Sequence, residues 1–406
     1  MPDSLTVQIV NQTTSANVFA YITGLALQHG SARVFLAANG KDLYFPASPP
    51  AGKILQPLTT DVAIPLGAPG TATTVTIPQI AGGRIWFSAD GPLTFLRNPG
   101  GPGGGAALVE PSVLNPSDPN AGVDFAFCEF TLNADQLFAN ISYVDFVSRL
   151  PVALTLQTQS GAVQHVSGMP PDGLDRVCAA LRAQAAADGR PWDKLIVTPP
   201  GHAGPLRALS PTHGNAVGAS FDDYFEPLVD AAWAKYREKR ASHNPFSAFK
   251  TAPHATLRIN TQAAPGVVDG YVPSAAAETM LIGGETFAKP TSADILGCNS
   301  GPFTTGPSPV RNAIIPRLAA AFQRGCIADV AEHPSHPETF YRGEPTNHYS
   351  RIVHECNLDG KGYAFAYDDV QPDGGSDQSG KVNAGDPKLW IVAVGGGGAY
   401  VGDRMP

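Results

Sequence analysis

Residues 123–155 read VDFAFCEFTLNADQLFANISYVDFVSRLPVALT. Positions 123–132 alternate apolar with small or polar residues, are rich in aromatics, and stop at the turn-prone Asn133-Ala134-Asp135. That is the pattern of a half-buried strand. Positions 141–147 read as a second strand and 152–156, after Pro151, as a third. Glu129 falls inside the first and Asp145 near the end of the second. If the two pair as antiparallel neighbours, both carboxylates can reach one face, because side chains return to a face every second residue. A charge inside an apolar strand is costly unless it meets water, a partner or a substrate. The face carrying Glu129 and Asp145 is therefore a candidate cleft.

Upstream, the runs 5–10, 18–23, 33–36, 73–77 and 84–87 are strand-like and separated by Gly, Pro and Asn, which predicts a sandwich or barrel. Residues 98–120 hold too many Gly and Pro to keep a ladder and read as a loop. The loop lacks Gly-Lys-Ser/Thr and no helix pattern follows it, so it is not a phosphate-binding loop. Downstream, 172–188 has helical spacing and stops at Gly189. A short strand at 195–197 follows, then a helix over 220–240 with Ser220 as its cap. Asp222, Asp223 and Glu226 suit the helix N-terminus better than a catalytic cluster. Strands at 257–260, 267–272 and 278–282 and a helix at 313–324, with Pro316 in its first turn or kinking it, complete a mixed region. Strands at 349–353, 363–367 and 389–394 return the chain to β. The expected organisation is a β domain over 1–156, an inserted α/β domain over 157–340, and a return to the β domain over 341–406.

Gly 43 and Pro 38 make up about a fifth of the 406 residues, which fits many short strands and loops, and 43% hydrophobic residues suffice for a core. A net charge of −8 without a Lys/Arg-rich tract disfavours nucleic acid and anionic membranes as partners; a neutral polysaccharide is indifferent to it. No run has transmembrane length. The start, Met1-Pro-Asp-Ser, lacks the basic and apolar regions of a signal peptide. Five cysteines allow at most two bridges and leave one thiol, and alternation puts Cys128 in the core. His333, His336, His348 and His354 lie close in sequence but show no recognised ligand interval, so neither a metal nor another cofactor is expected. There is no Gly-x-Ser-x-Gly elbow.

Glu129-Phe-Thr-Leu-Asn, the following Ile141-Ser-Tyr-Val-Asp-Phe-Val, and Leu150-Pro-Val resemble the core of thaumatin-like proteins. Gly83-Arg84-Ile85-Trp86 and the segment Tyr363-Ala-Phe-Ala-Tyr-Asp-Asp are similar to further signatures of that superfamily. Two departures stand out: Ser88 where the superfamily has Arg, and Phe138 where the family tends to have Trp. The long insertion and Pro345-Thr-Asn-His-Tyr-Ser fit a narrower group, the laminaripentaose-producing β-1,3-glucanases of glycoside hydrolase family 64. The resemblance implies a thaumatin-like β-sandwich or barrel domain plus a mixed α/β domain with a wide groove between them. It also implies a secreted enzyme that releases oligosaccharides from β-1,3-glucan; a monomer is expected.

Glycoside hydrolysis needs one carboxyl group to donate a proton and a second, ionised, to activate water or attack the sugar. Glu129, among Phe127, Cys128 and Phe130, suits the acid; Asp145, nearer a turn, suits the base. The resemblance implies the same division, with inversion at the anomeric carbon. Thr131 and Asn133 resemble family residues that hydrogen-bond glucose hydroxyls, and a ring at Phe138 can stack on a pyranose. His348 is expected to have a structural or sugar-contacting role, and Asp369, of the superfamily's acidic pair Asp368-Asp369, to border the cleft or form a turn. The rival reading is a thaumatin-like protein that binds β-glucan without cutting it.

Overall fold

A computed structural model describes residues 3–100, 105–237, 255–273 and 276–396. Positions 101–104 of the expected loop and 238–240 of the expected helix lie outside them. The chain forms two compact units, residues 1–219, 352–364 and 379–406, and residues 220–351 and 365–378.

The first unit is a sandwich of two open sheets. The five-stranded sheet places Val163–Val166, Val152–Thr158, Pro387–Val394, Ser4–Asn11 and Ala72–Pro78 side by side. The larger sheet orders Lys381–Ala384, Leu137–Ile141, Asp124–Leu132, Ile80–Ala89, Val18–Ala26, Ala32–Leu36 and Leu43–Tyr44, with Ile64–Pro65 paired to Val18–Ala26. Between the sheets lie Val7, Ile9, Ile85, Phe87, Cys128, Leu154 and Val392, all fully buried, and Phe130 meets Trp390 with ring centroids 5.3 Å apart. Gly83 is opposite Phe130 in the ladder, and a Cβ there would stand 2.5 Å from the phenyl ring, so only glycine fits. The other face of the larger sheet carries an aromatic cluster of Tyr21, Phe35, Trp86, Phe95, Phe125, Phe127 and Phe146. Both faces are thus apolar over the middle of the strands, and polar residues come to the fore only toward one end. Cys128 is in the core as alternation requires, and all five cysteines are free thiols.

Several elements depart from the sequence reading. The strand expected over 141–147 is broken: Leu137–Ile141 ends, Ser142 makes an isolated bridge to Tyr363, and Phe146–Ser148 joins a separate sheet with Arg207–Leu209 and Ile196–Val197. The helix expected from Ser220 begins at Glu226, and Ser220 instead accepts the Asp222 N–H in a preceding turn. Residues 349–353 are not a strand but part of the helix His348–Cys356. Tyr349, Ile352 and Val353 are fully buried there, at the i, i+3, i+4 spacing of a helix face, and Asn347 caps it by accepting the Ser350 N–H. Residues 363–367 form a bridge and a turn. The helix Gly173–Asp188 ends as expected, with Gly189 left-handed at φ 72°.

The second unit is mixed. Its sheet orders Glu285–Ala288, Thr279–Ile282, Val267–Tyr271, Leu257–Asn260 and Glu332–His333, with the last pair parallel. Helices Glu226–Lys235, Ser292–Gly297 and Pro309–Gln323 belong to it, and Pro316 sits inside the last. His333 is 2% exposed. Burial, helped by the charges of Lys235 and Arg324, pushes its imidazole down to about 4. A depressed histidine contributes stability above its unfolded value of 6.5, and this is lost as pH falls toward 4. Between pH 7 and 4 the loss is expected to reach about 3 kcal/mol at roughly 1.4 kcal/mol per pH unit. Urea midpoints at the two pH values test it: His333→Gln should show a distinctly smaller acid loss than the native chain.

Candidate active site

The ladder registers place Thr23, Arg84, Glu129, Asn140 and Lys381 in one row across five neighbouring strands. Directly paired residues share a face, so this row rises beside the aromatic cluster. Arg84 binds it together. Its Nη1 donates to Glu110 Oε2 at 2.9 Å, and its Nε and Nη2 both donate to Glu129 Oε1, at 3.2 and 3.1 Å. The guanidinium lies over the rings of Phe127 and Trp86, 4.7 and 5.3 Å from their centroids. The second oxygen of Glu110 accepts the Thr23 hydroxyl at 3.2 Å, and Thr23 Oγ1 in turn accepts the Trp86 indole N–H at 3.1 Å.

A half-open cavity of about 360 Å³ sits over these groups, lined by Arg33, Arg84, Glu110, Glu129, Thr131, Phe138 and Asn140 among others. The Glu129 side chain is 37% exposed. Its apolar sequence neighbours do not form its surroundings: Cys128 and Phe130 face the sandwich core, and Phe127 carries the arginine. The apolar pocket expected for Glu129 is replaced by an ionic one. Asp124, on the same strand, is a carboxyl group that burial does push up, to about 6, against the pull of Arg207 and Arg149. It does not line the cavity.

Asp145 lies in the bend that follows the broken strand, and its side chain is 40% exposed. Its backbone oxygen accepts the Ser210 N–H at 2.9 Å, and Oδ1 stands 2.8 Å from His213 Nε2, an ion pair when the ring is protonated. Phe146 next to it packs edge-on against Phe125 and Phe127, so the bend is tied to the same aromatic face that bears Glu129. His213 comes from the 3-10 turn Pro211–Val217, and no sequence spacing announces it.

The remaining expected residues are scattered. Thr131 and Phe138 are ladder partners and line the cavity. Asn133 Oδ1 accepts the N–H groups of Asp135 and Gln136 and so closes the hairpin. His348 and Asp369 belong to the second unit. His348 is 3% exposed, with Nε2 beside Glu344 and Nδ1 accepting from Arg351 Nε. Asp369 is half-exposed, whereas Asp368 is buried against Arg324. Ser88, at the position where thaumatin-like proteins have Arg, is fully buried. Arg84, Glu110 and Arg33 were not foreseen as site residues; for Arg84 the Gly-Arg-x-Trp signature was available. Among the described residues, no group of three or more His, Cys, Asp or Glu is placed to hold a metal, and no helix is long and apolar enough to cross a membrane.

The open β-sandwich leaves Glu129 and Asp145 reaching solvent, and the family match makes the chain a glycoside hydrolase. The chain belongs to the β-1,3-glucanases of glycoside hydrolase family 64, whose family model matches residues 3–394. It is 29% identical over 306 residues to the glucan endo-1,3-beta-glucosidase of Cellulosimicrobium cellulans, covering 74% of this chain and 50% of that protein. The protein of the same name from Arthrobacter sp. (strain YCWD3) matches at 29% over 307 residues, with the same coverage. The chain thus spans about half the length of the curated relatives it matches. A crystal structure of a laminaripentaose-producing beta-1,3-glucanase in complex with laminaritetraose superimposes with a TM-score of 0.80 at 28% identity, over 97% of this chain and 99% of that one. A beta-1,3-glucanase domain from Clostridium beijerinckii shares the fold, with a TM-score of 0.70 at 22% identity, over 97% of this chain and 98% of that one.

Proposed function

We propose that this chain hydrolyses β-1,3-glucan within the polymer, releasing oligosaccharides with inversion, with Glu129 as general acid and Asp145 as general base. The observation that carries the reading is the family match over residues 3–394. The exposure of both carboxylates supports a role for each at the substrate: neither is locked in the interior.

Glu129 Oε2 is the oxygen Arg84 leaves free, and from it a proton passes to the glycosidic oxygen as the bond to the anomeric carbon breaks. Asp145 takes the proton of a water that attacks that carbon from the opposite side, and His213 orients its carboxylate. The two carboxyl groups then need to stand roughly 6.5–9.5 Å apart across the sugar, the separation that admits a water. Thr131 supplies a hydroxyl to the glucose unit beside Glu129, and Phe138 offers a ring face to a pyranose. Asn133 keeps its Nδ2 for a further sugar hydroxyl. A polymer of this size does not cross a membrane, so the site of action is outside the cell.

Reducing-sugar release from linear β-1,3-glucan, with cellulose and xylan as controls, tests the activity. Release from β-1,3-glucan alone is expected. Binding without release would select the non-catalytic glucan-binding reading instead. Proton NMR of the first product tests the stereochemistry: an initial α-anomer is expected, and an initial β-anomer would contradict a water-mediated single displacement.

A further inference from the structure

We infer that Glu110 is a positioning residue for Glu129, acting through Arg84 to keep one oxygen of the catalytic carboxyl group open to the substrate. The inference rests on the assignment of Glu129 as the acid.

Arginine and a carboxylate normally meet fork to fork, two N–H donors on two oxygens. Here Arg84 meets Glu129 differently, with Nε and Nη2 converging on Oε1 alone. The third donor, Nη1, is held by Glu110 at 2.9 Å. Glu110 is itself fixed by Thr23, and Thr23 by the indole of the buried Trp86, so the chain of contacts ends in the rigid aromatic core. With Glu110 in place, the guanidinium cannot swing in its plane to embrace both oxygens of Glu129. Without it, the swing is open, and it would occupy Oε2, the oxygen that must hold and deliver the proton. Glu110 also shares the single positive charge of Arg84, which would otherwise act on Glu129 alone.

The other charged groups brought to this face are Arg33, which lines the same cavity, and Lys381, which ends the row beyond Asn140. Both are cations, so neither relieves the pull of Arg84 on Glu129; Glu110, paired with Arg84 Nη1, does.

The test compares the native chain with Glu110→Gln and Glu110→Asp on linear β-1,3-glucan across pH. Glu110→Gln is expected to lower kcat by about tenfold at neutral pH, with KM changed less than about twofold, since proton delivery rather than sugar binding is affected. The alkaline limb of its kcat/KM profile should move to lower pH by about one unit, as expected for removing one nearby carboxylate. Glu110→Asp retains the charge and should bring that limb back toward the native position. A merely structural Glu110 would change the melting temperature or KM and leave the limb where it was, and that result, or a native profile in Glu110→Gln, overturns the inference. If Glu110→Gln does not fold, Thr23→Val, which loosens the hold on Glu110, decides: it should lower the limb, and a native limb there overturns the inference. Glu129→Gln separates the two levels of the argument. Full activity in that variant would remove Glu129 as the acid, whereas loss there with a native Glu110→Gln would remove only the positioning role.

Discussion

Glu129→Gln is expected to lower reducing-sugar release from linear β-1,3-glucan by about 10²–10⁴-fold, the usual worth of a general acid. The amide keeps the volume of the side chain and an oxygen that accepts from Arg84, so the ionic row across the sheet loses little of its geometry. What it cannot do is give up a proton. Asp145→Asn is expected to be similarly damaging for a different reason, because the amide cannot accept one from water. Substrates with an acidic leaving group distinguish the two losses. An aryl glycoside whose phenol departs without protonation should recover most of the rate in Glu129→Gln and none in Asp145→Asn. Cosedimentation with insoluble glucan should show both variants still binding. Native rates in either variant would remove that residue from the mechanism.

Arg324→Leu is expected to destabilise the second unit by about 3–5 kcal/mol, read from the urea midpoint. The guanidinium is 2% exposed and the partner Asp368 carboxylate fully buried. Arg324 donates to Asp368 Oδ1 at 3.2 Å, to the Asp368 carbonyl at 3.0 Å and to the Val370 carbonyl at 2.7 Å, and lies 4.0 Å from the centroid of Phe340. Removing it leaves a carboxylate in the interior with its principal counter-charge gone, and breaks the hold on the returning segment 365–378. The double variant Arg324→Leu/Asp368→Leu should be more stable than Arg324→Leu alone, because a buried ion pair is cheaper to replace than to split. A single variant within about 1 kcal/mol of the native chain would show that the pair is not a main support of the unit.

The strand carrying Glu129 was legible because alternation, aromatic content and a terminating Asn-Ala-Asp agree over ten residues. Most of the first 98 residues were legible for the same reason. Asp145 could be singled out by the motif around it, yet its surroundings could not: positions 141–147 have uniform β character, and only the switch of Phe146 to a different partner strand breaks them. Residues 349–353 misled because Ile352 and Val353 favour strands intrinsically while their burial follows a helical face. Charges were the hardest to place. Glu110 sits in a Gly- and Pro-rich stretch with no period, and His213 in a short 3-10 turn; each reaches its partner from a distant part of the chain. Sequence neighbours also misrepresented Glu129, since the residues on either side of it in a strand point away from it.

The five cysteines remain as separate thiols, and nothing covalent ties one strand of the sandwich to another. Burial also pushes the thiols of Cys178 and Cys356 up to about 11 and that of Cys298 to about 12, so they stay protonated and unreactive at neutral pH. The fold therefore asks nothing of an oxidant: no sulfur has to be paired for these strands to hold together.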